Sequence, residues 1–256
     1  MKREIYSLAN EELALLIGNL HQSLVDEKIP YIIVGGVATQ AHILSRLQKK
    51  TGKTLSELCE DPSLRLQDFV RATDDVDLAI DPKIEDEIGR IETGKKIGGV
   101  LKKIDGKECI PPSQEHILRY HLARHGIKRP IFQISRDGEI DYDRAISFNI
   151  GLNRSDLEGL DPQFYDLFIE EGQELKMPFD DNYNLVARVI RPEHLLACKT
   201  AKFRAKDTMD LHNLADIMRE SGENIDLDEM KKILLPNYVD NYHRFLDLAK
   251  LEDTSQ

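Results

Sequence analysis

Apolar and polar positions alternate along the chain at two different periods, and the change of period marks out the elements. Over residues 8–27, Leu13, Leu16, Ile17 and Leu20 recur at helical spacing, so one face is apolar and Asn10 stands where a cap belongs. The dipeptide Ile29-Pro30 ends that pattern. Tyr31-Ile32-Ile33-Val34 then forms a short, unbroken apolar run that stops at Gly35-Gly36. Such a run predicts a strand buried on both faces, followed by a tight glycine turn. Residues 37–50 return to helical spacing, with Val37, Ala38, Ala41, Ile43 and Leu44 available for packing.

The stretch 48–70 is polar, contains Pro62 and predicts one or two short helices. A second strand is predicted at 76–80, and a charged, mostly helical segment at 84–128. Residues 131–136 and 139–150 read as a hairpin around Asp137-Gly138. A last strand is predicted at 185–190. Pro192 then suits the first turn of a helix, and helices are expected at 192–205, 208–220, 226–233 and 237–250. The expected fold class is therefore α/β (α+β), a mixed sheet flanked by helices. The shift to helix alone near residue 190 divides the chain into 1–190 and a helical C-terminal region, 191–256.

Composition narrows the functions. The formal net charge is -11, and long-range repulsion makes such a protein a poor general binder of nucleic acid. Residues 191–206 run against that balance: Arg191, Lys199, Lys202, Arg204 and Lys206 face only Glu193. Cys59, Cys109 and Cys198 are few, odd in number and far apart, which predicts buried thiols in a reducing compartment. No signal peptide or membrane span is visible, so the expectation is a cytoplasmic protein with no membrane partner.

Candidate chemistry lies at two places. Glycines between a strand and a helix let backbone N–H groups approach a phosphate at the positive end of the helix. Farther on, Arg71-Ala72-Thr73-Asp74-Asp75-Val76-Asp77-Leu78 sets two carboxylates at i and i+2 on a strand, which alternation places on one face. Two acids so close repel unless a cation lies between them, and magnesium favours such hard oxygen ligands together with substrate phosphates. A glycine corner and an Asp-x-Asp pair together suit a triphosphate with its metal.

These residues resemble the nucleotidyltransferase superfamily, with its apolar strand, Gly-Gly and Asp-x-Asp, and within it the AbiEii-type toxins. Arg71 and Thr73 ahead of Asp75 and Asp77 match that branch. So do Lys199 in Pro192-Glu193-His194-Leu195-Leu196-Ala197-Cys198-Lys199, then Arg204, then Lys206-Asp207-Thr208-Met209-Asp210. The resemblance covers roughly residues 29–217. It implies an NTP substrate, with Gly35, Gly36, Arg71, Thr73, Lys199 and Lys202 around the nucleotide. It also implies Asp75 and Asp77 holding Mg2+, a tRNA or other macromolecular acceptor, and an antitoxin partner. A small cationic acceptor such as an aminoglycoside, and a non-catalytic nucleotide-binding protein, are the alternatives.

Two features depart from the family pattern. Gly36 and Asp75 are separated by 38 residues, longer than the usual connection, which reads as a helical insertion at about 48–70. The family's third carboxylate has two candidate positions, Asp141 and the position held by Asn149. Asp207 and Asp210 are open to two readings, as site residues or as the cap and first-turn charges of the next helix. His116, His121 and His125, and the loop Gly94-Lys95-Lys96, are better read as a solvated helix face and a flexible loop.

Overall fold

The structure is a computed structural model, and it describes residues 8–9, 11–71, 73, 75–80, 92, 96, 131–133, 145–150 and 159–251. Helix α1 (Glu11–Asp26) precedes strand β1 (Tyr31–Val34), α2 (Gly35–Thr51), α3 (Leu55–Glu60) and a 3-10 turn at Leu66–Asp68. Strands β2 (Asp75–Ile80), β3 (Ile131–Gln133) and β4 (Ala145–Ile150) follow, then α4 (Tyr165–Glu170), β5 (Gln173–Pro178) and β6 (Asn184–Val189). The chain continues through α5 (Pro192–Lys202), α6 (Ala205–Glu220), α7 (Leu227–Ile233) and α8 (Val239–Ala249). The expected helices at 84–128, the histidines within them, the loop at 94–96 apart from Lys96, the Asn10 cap, Cys109 and Asp141 lie outside the described residues.

Among the described residues the strands form one six-stranded mixed sheet in the order β3-β4-β2-β1-β6-β5. β1 lies antiparallel to β2 and parallel to β6, and β2 lies parallel to β4. β3 and β4 are antiparallel neighbours, as a hairpin requires, but Gln133 lies opposite Ala145, whereas a two-residue turn at Asp137-Gly138 would set it opposite Tyr142; the connection is longer than the sequence predicts, and it lies outside the described residues. The four residues of β1 are all buried, which is why this strand is a continuous apolar run rather than an alternating one. α1 packs on β6, α2 packs on β1, β2, β5 and β6, and α5, α6 and α8 pack on one another. The buried apolar side chains form one cluster from Leu8 to Ala249 that crosses residue 190.

α2 decides how these layers lock. It lies between the sheet and the helices α5 and α6, and it is buried from Gly36 to Gln48 on every side. A helix buried all round cannot present only apolar residues here, because its sequence is half polar. Instead its buried polar side chains are hydrogen-bonded, Thr39 and Ser45 to carbonyls within the helix and Gln40, His42, Arg46 and Gln48 to other segments. Gln40 Nε2 donates to the Arg71 carbonyl (2.8 Å) and its Oε1 accepts from the Leu8 N–H (2.8 Å). Gln48 Nε2 donates to the Pro178 carbonyl at 2.7 Å. Arg46 pairs with Glu223 at 2.6 Å.

His42 is fully buried, and its Nε2 lies 2.7 Å from the Ile190 carbonyl, so Nε2 carries the proton. Nδ1 faces the Arg46 guanidinium at 3.3 Å. Burial pushes the His42 pKa down to about 3; the Ile190 bond opposes this and the Arg46 charge adds to it. His42 is therefore neutral throughout the physiological range.

The glycine turn runs directly into the helix: Gly35, in the left-handed conformation (φ +68), turns the chain out of β1, and α2 follows without an intervening loop. Another sequence expectation is corrected: Cys59 is exposed rather than buried, whereas Cys198 is buried as expected.

Candidate functional site

Three strand ends converge at the middle of the sheet. β1 ends at Val34, whose register partner on β2 is Asp77, and the parallel neighbour β6 ends beside Ile33 and leads into α5. A cleft opens there, lined by Val34, Gly35, Gly36, Arg71 and Asp77 on one side and by Leu195, Cys198, Lys199, Lys202, Arg204 and Lys206 on the other.

The first side is built by the absence of side chains. Gly35 has φ +68, a left-handed conformation, and a Cβ placed on it would overlap Asp77 Oδ2 and sit 3.2 Å from Asp77 Cγ. The Asp77 carboxylate thus occupies the volume that any other residue at 35 would fill. A Cβ at Gly36 would meet Thr73 Oγ1 at 2.7 Å and Arg71 Nη2 at 3.0 Å. The two glycines therefore admit, in turn, the acid of β2 and the cation ahead of it. The polar stretch before β2 delivers that cation. Asn213 Nδ2 of α6 donates to the Asp68 and Phe69 carbonyls (2.9 Å each), and Gln40 holds the Arg71 carbonyl.

The second side is built from long charged side chains in a fixed order. Lys199 Nζ lies 2.6 Å from Asp210 Oδ2 and 3.8 Å from Asp207 Oδ1. Arg71 Nε donates to the same Asp210 oxygen at 3.1 Å. Asp207 accepts from Arg204 Nε (2.6 Å), Nη2 (3.0 Å) and backbone N–H (3.1 Å). The result is a ladder of alternating sign, Arg204–Asp207–Lys199–Asp210–Arg71, whose three inner members are at most 4% exposed. Asp207 therefore takes the cap reading and adds ion pairs to it, without itself lining the cleft. It closes the start of α6 and it anchors two cations. Burial, the largest influence on its carboxyl, pushes the pKa up. The Arg204 hydrogen bond and the Lys199 and Arg204 charges together outweigh burial, and the net pKa is lowered.

The corner between α5 and α6 turns on Phe203, a bulky residue at φ +40. Its N–H donates to the Lys199 carbonyl (2.8 Å), and the Arg244 guanidinium lies 4.0 Å from its ring centre. That sharp corner brings Lys202, Arg204 and Lys206 to the rim of one cleft.

Of the sequence candidates, Gly35, Gly36, Arg71, Asp77, Lys199 and Lys202 line the cleft, and Thr73 packs behind Gly36. Asp75 opens β2 two residues before Asp77. The basic stretch 191–206 divides: Arg191 turns away to Glu171 and to Glu193 (3.6 Å) and does not line the cleft. Gln40, which fixes the Arg71 backbone, was not among the sequence candidates; a lone glutamine inside a helix carries no signal of its own. In β4, Ala145, Ser147 and Asn149 stand in register with Asp75, Asp77 and Ala79. None of the three is a carboxylate.

The Asp77 carboxylate, seated on Gly35, could hold a magnesium ion shared with phosphates, because that ion takes one or two protein carboxylates and fills its remaining positions with water and substrate oxygen. Among the described residues no group of three His, Cys, Asp or Glu side chains is arranged to hold a metal by itself. Among the same residues no helix is long and apolar enough to cross a membrane.

No family model matches the chain. No curated protein matches it either. Among solved structures, the chain is similar to the crystal structure of an antigenic nucleotidyltransferase-like protein from Paracoccidioides brasiliensis. The two share 19% sequence identity with a TM-score of 0.44, over 95% of this chain and 94% of that one.

Proposed function

We propose that the chain is a magnesium-dependent nucleotidyltransferase that moves a nucleoside monophosphate from an NTP to an acceptor hydroxyl. The observation that carries this reading is the pairing of opposite charges across one cleft. Asp77 sits on the Gly35 corner, and Arg71, Lys199, Lys202, Arg204 and Lys206 lie around and opposite it. A triphosphate needs both: cations and helix N–H groups for its oxygens, and carboxylates to hold its metal.

In this reading Asp77, with Asp75, holds magnesium, which when bound neutralises the triphosphate and lowers the pKa of the attacking hydroxyl. The α2 N-terminus at Gly35-Gly36 and the cations of the facing side bind and orient the phosphates. The acceptor oxygen bonds to the α-phosphorus, the bond to the bridging oxygen breaks, pyrophosphate leaves, and the hydroxyl proton passes to a base or to water. The acceptor is tRNA or another macromolecule, and the protein is the toxin of a toxin–antitoxin pair. Support for these finer points is the residue resemblance and the rim of Lys202, Arg204 and Lys206, of which the last two are exposed.

The β4 register favours a second reading. With Ala145, Ser147 and Asn149 in the rows beside β2, a protein that binds nucleotide without transferring it accounts for the same cleft. Incubation of the protein with each α-labelled NTP, magnesium and total RNA separates the two. The transferase reading predicts label in RNA that disappears in Asp75→Ala and in Asp77→Ala. Magnesium-dependent NTP binding with no label in RNA or in any small acceptor supports the second reading and contradicts the first.

A further inference from the structure

The ladder joins two parts of the chain that are 139 residues apart, and a single oxygen makes the join. Asp210 Oδ2 accepts from Lys199 Nζ at 2.6 Å and from Arg71 Nε at 3.1 Å. Asp210 is 3% exposed and does not itself line the cleft, while both of its partners do. Its oxygen is thus committed to two cations and lies behind them. Arg71 in turn keeps Nη2 at the Gly36 surface, where a Cβ would be 3.0 Å away.

We infer that Asp210 is a positioning residue, which sets Arg71 at the glycine corner and Lys199 on α5 so that both cations address one phosphate chain. The inference rests on the reading of this cleft as a triphosphate site. It assigns Asp210 no part in holding metal or taking a proton.

Charge and position make opposite predictions for its removal. By Coulomb's law alone, deleting a negative charge behind an anion site strengthens anion binding. If Asp210 positions the cations, its loss removes the closest carboxylate from a buried ammonium and the bond that orients Arg71 Nε, and anion binding weakens. The probe is inorganic tripolyphosphate in the absence of divalent cations, titrated calorimetrically, with the melting temperature of each variant recorded.

Asp210→Asn is expected to bind about tenfold more weakly, the scale of removing one charge-assisted hydrogen bond. Asp210→Glu keeps the charge but moves it by one methylene, and should recover part of the affinity, remaining about threefold weaker than wild type. A general loss of structure would lower the melting temperature of both variants without this ranking. Equal or tighter binding by Asp210→Asn overturns the inference. Where Asp210→Asn does not fold, an affinity of Asp210→Glu indistinguishable from wild type overturns it instead. Absence of tripolyphosphate binding by the wild-type protein overturns the triphosphate site itself, and the inference with it.

Discussion

The two sides of the cleft solve different problems with opposite materials. The side formed by β1, β2 and the start of α2 works by what it lacks. Gly35 and Gly36 leave space that the Asp77 carboxylate and the Arg71 and Thr73 side chains occupy, over backbone fixed by a buried strand. The side formed by α5 and α6 works by what it adds, a run of alternating charges whose inner members are almost fully buried. The first has no spare room for a Cβ at either glycine. The second tolerates no unpaired charge, because a buried ion stripped of its partner is strongly destabilising. Geometry is thus stored on one side and charge on the other, and Arg71 belongs to both.

Substitutions separate the two sides. The largest effect is expected at Gly35→Ala, which combines a left-handed backbone with overlap of the Asp77 carboxylate. A loss of about 2–4 kcal/mol in chemical denaturation follows from the sum of these terms, together with loss of nucleotide binding. The next effect, taken per pH unit, comes from acid and acts on α2, behind the glycine corner. His42 has a pKa near 3 in the fold against 6.5 when unfolded, so between these values the unfolded chain takes a proton that the folded one refuses. Its contribution is complete above pH 6.5 and is lost as pH falls toward 3, by up to about 1.4 kcal/mol per pH unit. Melting curves across this range should steepen below pH 6.5, and His42→Gln should flatten them. The lowered pKa values of His21 and His194, both due first to burial, act in the same direction.

Gly36→Ala is a gentler probe of the same side. Its new methyl group would meet Thr73 Oγ1 at 2.7 Å and Arg71 Nη2 at 3.0 Å but without a left-handed backbone, so the stability cost should be about 1–2 kcal/mol, below that of Gly35→Ala. Displacement of the guanidinium should show in addition as weaker tripolyphosphate binding. The smallest effect is expected at Lys50→Gln. Lys50 and Glu220 are about half exposed, and their pair at 2.8 Å should contribute less than about 0.5 kcal/mol, erased by salt.

The glycine side was largely legible in the sequence and the charged side was not. Tyr31-Ile32-Ile33-Val34-Gly35-Gly36 encodes a buried strand and a close approach within six neighbouring residues, and the Asp-x-Asp pair needs only strand alternation. The ladder depends on Arg71 meeting Asp210 and Asp207 meeting Lys199, pairings made by tertiary packing that no local pattern announces. The same reason hides the role of α2. Its apolar positions were visible, but Gln40, His42, Arg46 and Gln48 look like a polar face until the Leu8, Ile190, Glu223 and Pro178 segments arrive to bond them. β5 escaped notice because an edge strand packs little. Only Met177 of its six residues is buried, so no sustained apolar run or alternation marks it as a strand.

The division of labour between the two sides is tested most directly by calorimetric titration of NTP, with and without magnesium, into the wild-type protein and Asp77→Asn. The account predicts that both proteins bind NTP without magnesium, the variant as well as or better than wild type, because the cations of α5 and α6 and Arg71 remain in place. It predicts that magnesium strengthens binding to the wild-type protein alone. A magnesium effect that survives in Asp77→Asn, or no NTP binding by the wild-type protein under either condition, would contradict it.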